Sequence, residues 1–77
     1  MITSRQIKAA RALLGLTAAK LAEISNIGFT TIIRLESFEG VPAGNVKTLE
    51  AVQSALEKAG IEFIGTPDSG AGVRWRV

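Results

Sequence analysis

The sequence predicts a mainly α-helical fold, four helices followed by a C-terminal β-hairpin. Three observations predict it. Apolar residues recur at three- and four-residue spacing through four segments, each delimited by capping residues or glycines. Two of these segments are short and meet at a tight turn, Ser25-Asn26-Ile27-Gly28. After Gly60 the period changes to two, first in Ile61-Glu62-Phe63-Ile64 and again in Val73-Arg74-Trp75-Arg76-Val77.

Thr3 or Ser4 caps the first helix, and Thr3 with Gln6 has the spacing of a capping box. Ile7, Ala10 and Leu14 follow at helical spacing with Leu13 beside them, and Gly15 supplies the left-handed stop. Thr17 caps the second helix, in which Leu21 and Ile24 point one way. Asn26 is the residue type, after glycine, that best tolerates the positive φ of a sharp helix-to-helix turn. The third helix is expected from about Phe29 to Ser37, with Ile32 and Leu35 inward and Ile27 plugging the corner.

Gly40 to Gly44 is a loop. Asn45 caps a fourth helix that continues to about Ala59, its stripe formed by Val46, Leu49, Val52 and Leu56, and Gly60 ends it. Between the two period-two runs, Gly65 to Gly72 carries Pro67, Asp68 and three glycines, which is turn chemistry. A lone two-stranded hairpin is only marginally stable in water. It must therefore lie on the helices or pair with a second copy.

Composition narrows the function classes. A chain of 77 residues with 47% hydrophobic content is one small folded domain. No apolar run approaches the roughly 18 residues of a membrane span, and no signal-peptide layout opens the chain, so a cytoplasmic location away from membranes is expected. Without cysteine there is neither a disulfide framework nor a thiolate metal site, and no metal or cofactor is expected. With no His, Cys or Tyr, and Asp68 the single aspartate, acid-base chemistry would fall to Glu or Lys; no enzyme is expected. The net charge of +2 is uneven: Arg5, Lys8, Arg11, Lys20, Arg34 and Lys47 precede residue 48, against Glu23, Glu36 and Glu39. That balance permits a nucleic-acid partner.

The segment Leu16 to Glu36 (LTAAKLAEISNIGFTTIIRLE) carries a more specific pattern. Its features are Gly15-Leu16-Thr17 before the first short helix, Leu21-Ala22 within it, Ile27 at the corner, and Thr31-Ile32 with Arg34-Leu35-Glu36 closing the second. These residues resemble the phage repressor/Cro class of helix-turn-helix regulators, the Xre family. The resemblance spans about residues 5 to 60, and the tail is similar to one common in small bacterial members. It implies a four-helix, repressor/Cro-like helix-turn-helix DNA-binding domain over residues 1–60, with the motif at 17–37. The hairpin at 61–77 is the expected dimerisation element. Double-stranded DNA is the implied partner, with helix 29–37 in the major groove. Ala22 is small because the two motif helices cross closely over it.

On a wheel of the third helix, Thr30, Ile33, Arg34 and Ser37 lie outward with Phe29 on the flank and Gly28 at the start. N-terminal residues of such a helix touch base edges. Arg34 is the strongest candidate reader, since a guanidinium grips guanine O6 and N7 with two hydrogen bonds; the other reading is a solvated surface arginine. Phe29 and Ile33 have three readings: contact with thymine methyl groups, packing with Phe38, or a patch for a protein partner. Thr30 and Thr31 can donate hydroxyls to base or phosphate, although Thr31 can equally satisfy a backbone carbonyl. Phosphates are expected at helix N-termini, at Thr17 and Ala18 and at Gly44 and Asn45, with Lys20, Ser37 and Lys47 adding contacts.

By the resemblance, Arg11 and Glu36 form a structural ion pair between the first helix and the end of the recognition helix. Ile61, Phe63, Val73 and Trp75 are expected to build a shared sheet and core across a two-fold axis; alternatively, Trp75 caps its own helices in a monomer. The expected role is a repressor or autoregulator binding a two-fold symmetric operator as a homodimer. The alternatives are an antitoxin that binds its toxin through Phe29, Ile33 and Phe38 or through the hairpin, and an interaction module with weak DNA binding. Ala18, where the family usually carries glutamine, and Glu39, in a loop that is often basic, motivate the last.

Overall fold

The computed structural model describes residues 1–76. Four helices, α1 (Ser4–Leu14), α2 (Ala18–Ser25), α3 (Phe29–Leu35) and α4 (Val46–Lys58), precede the strands β1 (Ile61–Thr66) and β2 (Ser69–Trp75). Val77, expected as the last strand residue, lies outside the described residues. Among the described residues no helix is long and apolar enough to cross a membrane.

Local chemistry places the helix ends. The Thr3 hydroxyl accepts the Gln6 N–H at 3.1 Å, and the Gln6 side-chain oxygen accepts the Thr3 N–H at 2.8 Å, closing the capping box. Gly15 at φ 71° ends α1. Thr17 caps α2 by accepting the Lys20 N–H at 3.0 Å. Asn26, at φ 57°, is the one non-glycine residue with positive φ among the described residues, and it turns the chain from α2 towards α3. α3 stops at Leu35, two residues before the expected end. There the Ser37 N–H reaches back only three residues, to the Arg34 carbonyl at 3.1 Å, which tightens the last turn.

One core joins all the elements. Ile7 and Ala10 of α1, Leu21 of α2, Ile32 and Leu35 of α3, Leu49, Val52 and Leu56 of α4, and Ile61 of β1 are buried together. Each large aliphatic among them contributes about 1.5–3 kcal/mol by leaving water. Three residues expected in the apolar stripes are instead exposed: Leu13, Ile24 and Val46. In α2 the inward row is Ala18, Leu21 and Ser25, spaced three and four apart, and Ile24 falls off that row. Ser25 can occupy the buried position because its hydroxyl donates to the Leu21 carbonyl at 2.6 Å. Val46 sits at the first position of α4, beyond the reach of the core.

The hairpin is tighter than the glycine-rich tract suggests. The strands run on to Thr66 and Ser69, leaving a two-residue turn at Pro67-Asp68 instead of a loop from 65 to 72. A bulge absorbs the mismatch, Thr66 facing both Ser69 and Gly70. Gly65 must lack a side chain, because its φ is 76° and a Cβ there would run into the Gly70 carbonyl. The register pairs Ile61 with Trp75 and Phe63 with Val73, and this face lies on the helices. α1 grips the sheet directly, the Gln6 amide donating to the Ile64 carbonyl at 3.2 Å and the Gly72 carbonyl at 2.9 Å.

The side chains expected at a joint between copies differ in how far their own core covers them. Ile61 is wholly buried in its own core, and Phe63 and Val73 are half-buried against it. Trp75 remains half exposed, the edge of its ring lying over Gly60.

Candidate nucleic-acid interface

α2, the Asn26 turn and α3 form one packed corner. Half-buried Ile27 and Ala22 pack against the core at the bend, and the Ile27 N–H returns to the Ala22 carbonyl at 3.1 Å. The far end of α3 is held by α1. Arg11 meets Glu36 with a two-pronged contact, Nε to Oε2 at 2.6 Å and Nη2 to Oε1 at 2.8 Å. Its third nitrogen, Nη1, donates to the Leu16 carbonyl at 3.1 Å, so the same guanidinium also fixes the link before α2. The Glu36 hydrogen bond raises the Arg11 pKa, while burial opposes the charge more weakly. Ser4 adds a second brace, its hydroxyl bonded to the Leu35 carbonyl and its N–H to Gly40 at 2.9 Å.

With Ile32 and Leu35 buried, α3 turns its other side to solvent. Phe29 is 53% exposed and Ile33 46% exposed, four residues apart on one face. Thr30 is exposed and Thr31 half-buried. Phe38, the third apolar residue of the expected patch, is half-buried. Gly28 caps α3 with no side chain of its own, and a Cβ there would meet nothing closer than the Thr31 hydroxyl at 4.0 Å. The approach to the start of α3 is therefore open.

Arg34 lies at the other end of this face. Its guanidinium makes a long 3.4 Å contact with the Ala43 carbonyl and passes over Gly44, where a Cβ would come within 3.3 Å of Nη1. The side chain thus bridges α3 to the loop that leads into α4. Nothing in the local sequence signals this use of Gly44; its positive φ of 120° is visible only in the folded chain. The Gln6 grip on the hairpin was equally hidden, since the capping box explains Gln6 by itself.

The expected phosphate contacts divide. Lys47 is exposed at the start of α4. Lys20 is also exposed but sits 3.0 Å from Glu23, its charge partly compensated. Asn45 uses its side-chain oxygen on the Lys47 N–H at 2.9 Å and the Thr48 N–H at 3.3 Å, so those two amides are already occupied. At α2, Thr17 occupies the Lys20 amide, and half-buried Ala18 directs its methyl into the core. Ser37 gives its one hydroxyl proton to the Arg34 carbonyl at 2.7 Å, which leaves its acceptor lone pairs.

Neither the protein-family models nor the curated proteins searched include a match to this chain. The arrangement is a braced pair of helices that presents an open, mixed apolar, hydroxyl and cationic face.

Proposed function

We propose that the chain is a sequence-specific DNA-binding transcriptional regulator, a repressor or autoregulator in the manner of the phage repressor/Cro class. On this reading α2 and α3 are a helix-turn-helix, and α3 enters the major groove of a two-fold symmetric operator bound by two copies. One observation carries the reading: the outward face of α3 holds Phe29, Thr30, Ile33 and Arg34 in the open, while its inner face and far end are locked by the core and by the Arg11–Glu36 fork. A helix so braced, with Phe29 and Ile33 exposed and Arg34 held by its own chain through a single long contact to the Ala43 carbonyl, suits insertion into a groove about 12 Å wide.

Arg34 would read guanine, a bidentate pair contributing about 1–3 kcal/mol of discrimination, and Phe29 and Ile33 would meet thymine methyl groups. Two copies then read half-sites about 34–36 Å apart. The cations available near this face are few, Lys20, Arg34 and Lys47. Affinity should therefore fall gently with salt, at about −0.9 in log K per log salt for each phosphate neutralised. No catalytic step or cofactor belongs to this reading, and the protein acts in the cytoplasm on chromosomal or mobile-element DNA.

A second reading is favoured by the same face. Phe29 and Ile33 are large, apolar and exposed, while Lys20 and the helix caps are engaged internally. An antitoxin or other interaction module would bury that patch on a protein partner, with DNA binding secondary. Selection of sites from a random duplex pool separates the two. Enrichment of a symmetric site, lost on Arg34→Ala, is the result expected of a DNA reader. Failure to enrich any sequence at low salt would favour the protein partner.

A further inference from the structure

We propose that Ser37 and the Ala43-Gly44 peptide hold Arg34 from both ends, so that Gly44, without touching a base, sets how sharply Arg34 tells guanine from other bases. The proposal rests on the DNA reading above and names the positioning residues that tune its specificity.

The root of the side chain is fixed by the turn that ends α3. The Arg34 carbonyl accepts two hydrogen bonds from Ser37, from its N–H at 3.1 Å and its hydroxyl at 2.7 Å. Leu35, the next residue, is buried in the core. The tip is held across the loop, where Nη1 donates to the Ala43 carbonyl at 3.4 Å. A Cβ on Gly44 would stand 3.3 Å from Nη1 and 3.9 Å from Nη2, so both terminal nitrogens pass close over a residue that has none. That anchor point is itself pinned on either side. Pro42 before it is buried, and Asn45 after it caps α4 by accepting the Lys47 and Thr48 N–H groups at 2.9 and 3.3 Å. The guanidinium is therefore located by α3 and by the entrance to α4 together.

The tether leaves the reading chemistry intact. A guanidinium has more N–H donors than guanine O6 and N7 can accept. Ala43 engages one of them, and enough remain for a two-pronged grip on a base. Arginine is among the side chains that lose most rotamer freedom on being fixed. An untethered arginine loses that freedom only where it grips guanine, and the cost subtracts from its preference for guanine. A tethered one has lost part of it already in the folded chain, which is preorganisation. Residue 44 controls this because a methyl there would crowd Nη1, and its φ of 120° is one that side chains rarely adopt.

The test uses the operator recovered by site selection and copies of it changed at one base pair of one half-site. The affinity ratio between parent and changed site is measured for the parent protein, Gly44→Ala, Arg34→Lys and the double variant. Arg34→Lys keeps the charge but loses the fork, and so marks the pair that Arg34 reads. At that pair Gly44→Ala should lower the ratio by about 2- to 12-fold, the cost of ordering one such side chain. It should leave the ratios at other pairs unchanged and add nothing in the Arg34→Lys background. Backbone strain at residue 44 weakens all sites together and cancels in the ratio. In the free parent protein, NMR relaxation should show the Arg34 Nε–H more ordered than that of exposed Arg5 and less ordered than that of Arg11, which makes three hydrogen bonds. An undiminished ratio in Gly44→Ala, a loss spread over all pairs, or an Arg34 as mobile as Arg5 would each overturn the proposal while leaving DNA binding in place. A protein that enriches no sequence overturns the DNA reading itself, and an Arg34 still ordered there would make the tether a brace of the loop alone.

Discussion

Replacing Arg11 by methionine keeps most of the aliphatic stem and removes the guanidinium. Three hydrogen bonds disappear, those to Glu36 at 2.6 and 2.8 Å and that to the Leu16 carbonyl at 3.1 Å. What remains is a carboxylate only 8% exposed, with no cation to face. Breaking a fully buried pair costs about 3–5 kcal/mol. Arg11 is 23% exposed, so water entering the vacated space recovers part of that loss. We therefore expect about 2–4 kcal/mol, a large part of the roughly 4–12 kcal/mol available to a domain of this length. The midpoint of thermal unfolding should fall by about 10–30 °C, and urea unfolding measures the free energy directly. The double variant Arg11→Met, Glu36→Leu should recover a substantial part, because an apolar pair leaves no buried charge. A single variant within about 0.5 kcal/mol of the parent, or a double variant no better than the single, would refute the view that this fork braces α3.

Three further perturbations follow from the geometry. Asn26→Ala should destabilise by about 1–2 kcal/mol, since alanine carries the full steric cost of the left-handed conformation, whereas Asn26→Gly should not; urea unfolding of both variants checks this. Gly44→Ala combines a positive φ with a methyl pressed towards Arg34 Nη1. It should cost about 1 kcal/mol and move the Arg34 side-chain NMR signals, and unchanged signals would contradict the contact. Glu62 should titrate below its ordinary value of 4.5, because Arg74 hydrogen-bonds its charged form. The folded pKa lies below the unfolded one, so this stabilisation is present above about pH 4.5 and is lost as pH falls through the depressed value. A carboxyl NMR titration that gives the same midpoint in Arg74→Gln would contradict the pairing.

What could be read in the sequence was what neighbouring residues decide. Thr3 with Gln6, Gly15, Thr17, Asn26 and Asn45 act within one turn of themselves, and the helices begin and end about where they direct. The paired period-two segments likewise become strands. The apolar stripes were less legible at their margins, since a hydrophobic side chain at Ile24 or Val46 is indistinguishable by spacing from a buried one when the helix is short. The glycine-rich tract concealed the two-residue turn because the bulge depends on Gly65 and Gly70 approaching across the hairpin. At the candidate site, the outward set on α3 followed from its wheel. The internal use of the Ser37 proton, the passage of Arg34 over Gly44 and the capture of Ile61 by its own core all depend on tertiary contacts.

The central claim is that the open face of α3 meets DNA bases. Titrating the isotopically labelled protein with the duplex recovered by site selection, and following every backbone amide by NMR, tests it directly. The account predicts the largest shifts at Phe29, Thr30, Ile33 and Arg34, smaller ones at Thr17, Ala18 and Lys47, and little change at the outer hairpin residues Glu62 and Arg74. Shifts concentrated on the hairpin, or none on α3 at low salt, would contradict it.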